Sequence, residues 1–110
     1  LARRKEIAEI YLRELRGITG LPNNTIYRVW QDFIIRVSER IGLRDKLHEF
    51  LKVNGIETMK NEYPFSPKYP KPPFAARYEA ETLRIPNNEH LTNEEVKQVS
   101  EQIMYFYDTI

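Results

Sequence analysis

Histidine, serine, lysine and carboxylate side chains carry the chemistry of a chain that has no cysteine, and in this one they are scattered. The histidines are His48 and His90. His48 stands between Leu47 and Glu49, off the apolar stripe of its helix, and reads as a solvated side chain. His90 falls in a loop shortly after Pro86. Two isolated histidines with no carboxylate at ligand spacing do not make a metal site. The three serines, Ser38, Ser66 and Ser100, have no histidine close by in sequence, and no G-x-S-x-G, phosphate loop or G-x-G-x-x-G occurs. By residue type and spacing nothing completes a catalytic set. The absence of cysteine also excludes a disulfide scaffold and a thiolate zinc site, and fits a reducing, cytoplasmic setting.

One stretch stands apart. "NEYPFSPKYPKPPF", residues 61 to 74, holds five prolines, two tyrosines and two phenylalanines in fourteen positions. Proline fixes φ and removes a backbone donor, so this segment is neither helix nor central strand and must run extended, held by its aromatic side chains. Lys60 precedes it, Lys68 and Lys71 lie within it, and all three read as solvated charges.

Regular elements surround that loop. "LARRKEIAEIYLRELRG" sets Ile7, Ile10, Tyr11, Leu15 and Ile18 at helical spacing, with Arg3, Arg4, Lys5, Glu9 and Arg13 on a solvated face, and the spacing predicts a helix over 1–17. It has no capping residue ahead of Leu1, so a preceding segment is expected. "IYRVWQDFIIRV" is rich in β-branched and aromatic residues and predicts a strand from about 28 to 37, apolar on both faces and therefore central in its sheet. "GLRDKLHEFLKVNG" predicts a helix with Leu43, Leu47, Phe50 and Leu51 on one face, closed by Asn54 and Gly55. "IET" at 56–58 is a short strand candidate. A helix is expected from Pro73 to about Thr82, then a strand at "LRI", stopped by Pro86. Thr92 and Glu95 form a T-x-x-E capping box that opens a terminal helix over 92–108, with Val96, Val99, Ile103 and Phe106 as its stripe.

These elements predict an α+β fold: a small two-layer domain with a short, three-stranded, mainly antiparallel sheet covered by helices. At 110 residues there is room for one core. Lys plus Arg total 17 against 16 Asp plus Glu, a net charge of +1 that argues for neither nucleic acid nor an anionic membrane as partner, and no apolar run approaches a membrane span.

The order and spacing of "RRKEIAEIYLREL", "VWQDFIIRV", "LHEFLKVNGIET", the Tyr-Pro loop and "LRIPNNEHLTNEEVKQVSEQI" resemble the C-terminal part of the DegT/DnrJ/EryC1/StrS family of pyridoxal-phosphate-dependent sugar aminotransferases. "NGIET" resembles the family's G-I-x-T, and "IPNNEHLTNEEV" its L-P-x-H-P-x-L-T-x-E-E-V. The resemblance implies the small domain of a type I aminotransferase, 1–110 being one C-terminal domain that packs on an upstream cofactor-binding large domain. It further implies an intact, homodimeric enzyme that uses pyridoxal phosphate on keto-sugars, nucleotide-linked ones among them. Residues 61–73 become an active-site loop in which Tyr63 and Pro64 match the family's Tyr-Pro. Asn61 and Glu62 stand where a histidine is usual, as do Asn88 in the terminal motif and Gln31 in the strand. Substrate-binding candidates are therefore Asn61, Glu62, Tyr63 and Asn88. The Schiff-base lysine, the acidic partner of the pyridinium nitrogen and the phosphate donors are implied to lie upstream, so no catalytic residue, no bound cofactor and no activity are expected of the isolated chain. Two other readings stay open: a sugar dehydratase of the same family, and a self-standing interaction module that docks through its aromatic loop.

Overall fold

The computed structural model describes residues 2–18, 20–22, 30–60 and 72–110. Four helices and three strands follow in the order α1 (Ala2–Glu14), β1 (Phe33–Arg36), α2 (Leu43–Val53), β2 (Met59–Lys60), α3 (Pro73–Glu81), β3 (Thr82–Ile85) and α4 (Asn93–Thr109). The strands form one antiparallel sheet in the order β1-β3-β2. This is the expected α+β domain.

The apolar spacing of the sequence is the core of the structure. Ile7, Ile10 and Tyr11 are buried from α1 and Leu15 and Ile18 from the turn that follows it, Leu43, Leu47 and Leu51 from α2, and Val96, Val99, Ile103 and Phe106 from α4. Phe33, Ile35, Leu83 and Ile85 join them from the sheet, and the Phe33 ring stands 5.0 Å from Tyr11. Each fully buried side chain of this size contributes about 1.5–3 kcal/mol before conformational entropy is set against it. Phe50 is only half-buried and instead stacks on Tyr105 at 6.0 Å.

Three expectations need correction. The strand placed at about 28–37 runs only from Phe33 to Arg36 among the described residues, and it is an edge strand, β3 being central. The ladder pairs Phe33 with Ile85, so any extension toward Asp32 meets Pro86, which has no N–H to give. The far side of β1 is approached by Gly20, whose carbonyl accepts from Arg36 N at 2.9 Å. A Cβ on Gly20 would lie 1.8 Å from the Arg36 carbonyl oxygen, so only glycine permits this approach.

The short strand expected at 56–58 is displaced to Met59–Lys60. Ile56 N donates to Leu51 O at 2.8 Å and Gly55 N to Lys52 O at 3.0 Å, with Gly55 at φ 79°, a pairing that closes α2 in a Schellman turn. The amide of Ile56 is thus already used by the helix. Of the aromatic loop, Pro72 and Pro73 form the start of α3, while 61–71 lie outside the described residues.

Candidate functional site

A cleft of about 500 Å³ opens where the end of α2 faces the exit of β3. One wall carries His48 and Lys52 on α2, then Ile56, Glu57 and Thr58 from the turn and Met59 from β2. The other carries Arg84 and Ile85, then Pro86, Asn87 and Asn88, with Asp32 at the end of the cleft. Sheet register explains part of this. Met59 is paired with Arg84, so their side chains share a face, while their strand neighbours point the other way and Leu83 and Ile85 are buried.

The segment after β3 is held from α1. Buried Tyr11 donates its hydroxyl to Pro86 O at 2.6 Å, and burial pushes its pKa up, so the donor proton stays in place. Arg3 Nη2 donates to Leu91 O at 2.6 Å, and Arg4 Nη1 to Gln31 O at 2.8 Å, with Glu89 3.8 Å from Arg4. Of the basic residues expected on a solvated face, Lys5 and Arg13 are exposed but Arg3 and Arg4 are half-buried staples, a function that sequence periodicity does not reveal because the acceptors are main-chain atoms far along the chain. Asn88 then closes a turn, its Oδ1 accepting from His90 N at 3.0 Å and its carbonyl from Leu91 N at 3.1 Å.

His48 also departs from expectation. It is half-buried, lines the cleft, and holds its Nδ1 2.6 Å from Thr58 Oγ1. Lys60 likewise is not a free charge, since its Nζ lies 3.6 Å from Asp45. Across the cleft Arg84 Nη1 is 3.4 Å from Asp32 Oδ1, while Arg84 Nε and Asn87 Oδ1 are buried with no partner among the described residues. An unmatched buried polar atom costs about 1–3 kcal/mol, so these atoms mark where a further polar group would be gained. Of the four candidates from sequence, Asn88 lies in the cleft. Asn61, Glu62 and Tyr63 lie outside the described residues. The described residues contain no cluster of ligands suited to a metal ion, and none of their helices is long and apolar enough to cross a membrane.

The sequence model of the DegT/DnrJ/EryC1/StrS aminotransferase family matches residues 1–104. The chain belongs to this family. Among solved structures, S. venezuelae DesV in complex with a ketimine intermediate is 27% identical, with a TM-score of 0.80, over 99% of this chain and 32% of its own. A putative sugar aminotransferase of Streptococcus pneumoniae in its PMP form is 22% identical over 98% of this chain and 31% of its own, TM-score 0.82. Helicobacter pylori PseC, an aminotransferase involved in the biosynthesis of pseudoaminic acid, shares the fold at 15% identity and a TM-score of 0.85, over 99% of this chain and 33% of its own. This DegT/DnrJ/EryC1/StrS chain thus spans about a third of the structures it matches, and its fold is that of their small α+β domain. Comparison with curated protein sequences gives no significant match.

Proposed function

We propose that this chain is the C-terminal small domain of a pyridoxal-phosphate-dependent aminotransferase acting on nucleotide-linked keto-sugars, and that the cleft is its share of the substrate site. One observation carries the reading. The two stretches that resemble the family's motifs, "NGIET" and "IPNNEH", lie more than two dozen residues apart in sequence, yet Ile56–Thr58 and Pro86–Asn88 line one cleft. Its chemistry suits a sugar. Amide, hydroxyl and imidazole groups alternate with the apolar faces of Ile56, Met59 and Pro86, and the cations Lys52 and Arg84 are matched by the carboxylates Asp32 and Glu57. A balanced, hydrogen-bonding wall with apolar patches takes up hydroxylated rings and gives no strong pull on a phosphate.

The described residues do not fit the cofactor itself. The cleft meets the C-terminal half of α2, the end whose free carbonyls disfavour an anion. Lys52 is exposed and Lys60 is paired with Asp45, so neither is a sheltered amine of the kind a Schiff base needs. We assign pyridoxal phosphate to the upstream large domain of a cytoplasmic, homodimeric enzyme. This domain binds and orients the sugar, with Asn61, Glu62, Tyr63 and Asn88 as its substrate-binding residues.

The full-length enzyme, supplied with an amino-acid donor and a nucleotide-linked keto-hexose, should form an amino-sugar detectable by mass spectrometry, and Tyr63→Phe should lower turnover without lowering Tm. Loss of water from the sugar with no donor consumed would replace the transaminase reading with the dehydratase one. No reaction and no cofactor in the purified protein would favour the interaction module.

A further inference from the structure

We propose that the outer face of the sheet, carried on by α3, is the surface on which the upstream large domain of the same chain seats. The proposal rests on the reading of this chain as one domain of a longer enzyme, and adds to it the residues through which the two domains meet. Phe33, Ile35, Leu83 and Ile85 join the core shared with α1, α2 and α4. By strand alternation Ile34, Arg36 and Arg84 point to the opposite side, and Met59, paired with Arg84, points there with them. Because Arg84 also pairs with Ile34, the side chains of Ile34, Arg84 and Met59 form one row across all three strands.

α3 extends this face. Arg36 stands 5.8 Å from the Tyr78 ring, and Ile34, Arg36 and Tyr78 line one hollow of about 200 Å³. Phe74 lies one turn before Tyr78 on the same side of the helix and is largely exposed.

The composition of the face is that of a covered surface. An antiparallel sheet that faces water carries polar side chains on its wet side. This one carries Ile34 and Met59, followed by Tyr78 and Phe74, and its arginines are matched, Arg84 by Asp32 at 3.4 Å and Arg36 by Glu81 at 2.7 Å. Aromatic residues, methionine and arginine are the types enriched where folded proteins meet, while free charge is depleted there. Arg77, exposed beside Tyr78, adds a charge at the rim.

Two observations name the occupant. The chain spans about a third of the structures it matches, so the rest of such an enzyme has to pack on it. Arg84 and Met59 belong both to this face and to the cleft, so a domain seated on the face borders the cleft and brings its own groups to a bound substrate. A large domain seated instead on the helix layer would be separated from the cleft by the sheet.

Both tests use the full-length enzyme and neither needs turnover. Met59 and Tyr105 of α4 are 58% and 59% exposed in this domain, and Tyr105 belongs to the helix layer, so it is the reference. In hydroxyl-radical footprinting, with each side chain scaled to its own rate in urea-unfolded protein, Met59, Phe74 and Tyr78 should react at least about fivefold more slowly than Tyr105. Irradiating the Phe74→p-benzoyl-phenylalanine enzyme should give a cross-linked product of single-chain mass on a denaturing gel, with the linked peptide upstream of residue 1. A product of doubled mass would put a second copy on the face and overturn the proposal. A link that maps within 1–110, or Met59 and Phe74 as reactive as Tyr105, would overturn it as well. A single-chain link to the upstream domain in a protein that aminates no sugar would uphold the docking surface and overturn the keto-sugar reading.

Discussion

Helices α4 and α3 belong to the same small domain and are held in it by different forces. α4 spans 17 residues, buries Val96, Val99, Ile103 and Phe106, and is opened by a capping box in which Thr92 Oγ1 accepts from Glu95 N at 3.1 Å and Thr92 N donates to Glu95 Oε1 at 2.9 Å. α3 spans nine residues and buries none, Phe74 being 76% exposed and Tyr78 40%. What holds α3 is a polar clamp at its C-terminal end. Arg44, buried beneath it, gives Nη1 to Glu79 O at 2.9 Å and to Thr82 O at 2.8 Å. Thr82 Oγ1 donates to Tyr78 O, and Arg36 pairs with Glu81 at 2.7 Å while standing 5.8 Å over the Tyr78 ring. One helix is fixed by a face and the other by an end, so damage to α4 is felt through the whole core and damage to the clamp is felt in α3.

The largest effect should come from the face. Ile103→Ala removes a fully buried side chain and should cost about 2–5 kcal/mol in chemical denaturation. Arg44→Met keeps much of the side-chain volume but removes the guanidinium that donates to both carbonyls. It should cost about 1–3 kcal/mol, and hydrogen exchange should quicken in α3 beyond what the global loss imposes on α4. Unchanged relative protection of α3 would remove the clamp from the explanation. Thr92→Ala loses one cap and should cost about 1 kcal/mol.

A smaller effect is expected from pH. Burial acts to raise the Asp45 carboxyl, but the hydrogen bond and charge of Arg44, with Lys60 beside them, outweigh it and hold the group below its ordinary value. A depressed carboxylate stabilises above its unfolded value, near pH 4, and that contribution disappears as pH falls through the folded one. Asp45→Asn should therefore flatten the acid limb of a stability–pH curve, slightly, because the side chain is mostly exposed. Phe74→Ser should be smallest, within about 0.5 kcal/mol, since this ring is bare in the domain.

The same contrast marks what could be read in the sequence. The T-x-x-E box, the α4 stripe, Gly55 as a helix stop and the Thr82–Ile85 strand are local signals, and each stands where its spacing placed it, give or take a residue. Arg44 sits in "LRD" like any surface arginine, and nothing near it says that its acceptors are Glu79 and Thr82. His48 was legible only as a helix position off the apolar stripe, because its partner Thr58 meets it after the Schellman turn has reversed the chain. The edge position of β1 was hidden for a related reason: apolar residues on both faces signal a central strand, but the outer edge of β1 is met by the Gly20 carbonyl and, among the described residues, not by another strand. For the cleft, the motifs predicted two of its segments and not that they would meet.

The strand order has a kinetic consequence. β3, the last strand in sequence, is the one on which both others pair, so β1 and β2 have no partner in this sheet until residues 82–85 have been made. During synthesis α2 can form as a local helix, but the sheet waits, and a chain stalled before residue 82 presents the β-branched strand Phe33–Arg36 with the edge that β3 would cover still unpaired. Long-range pairing of this kind slows folding and lengthens exposure to aggregation, which makes the passage from residue 37 to residue 85 the interval in which a nascent domain most needs a chaperone.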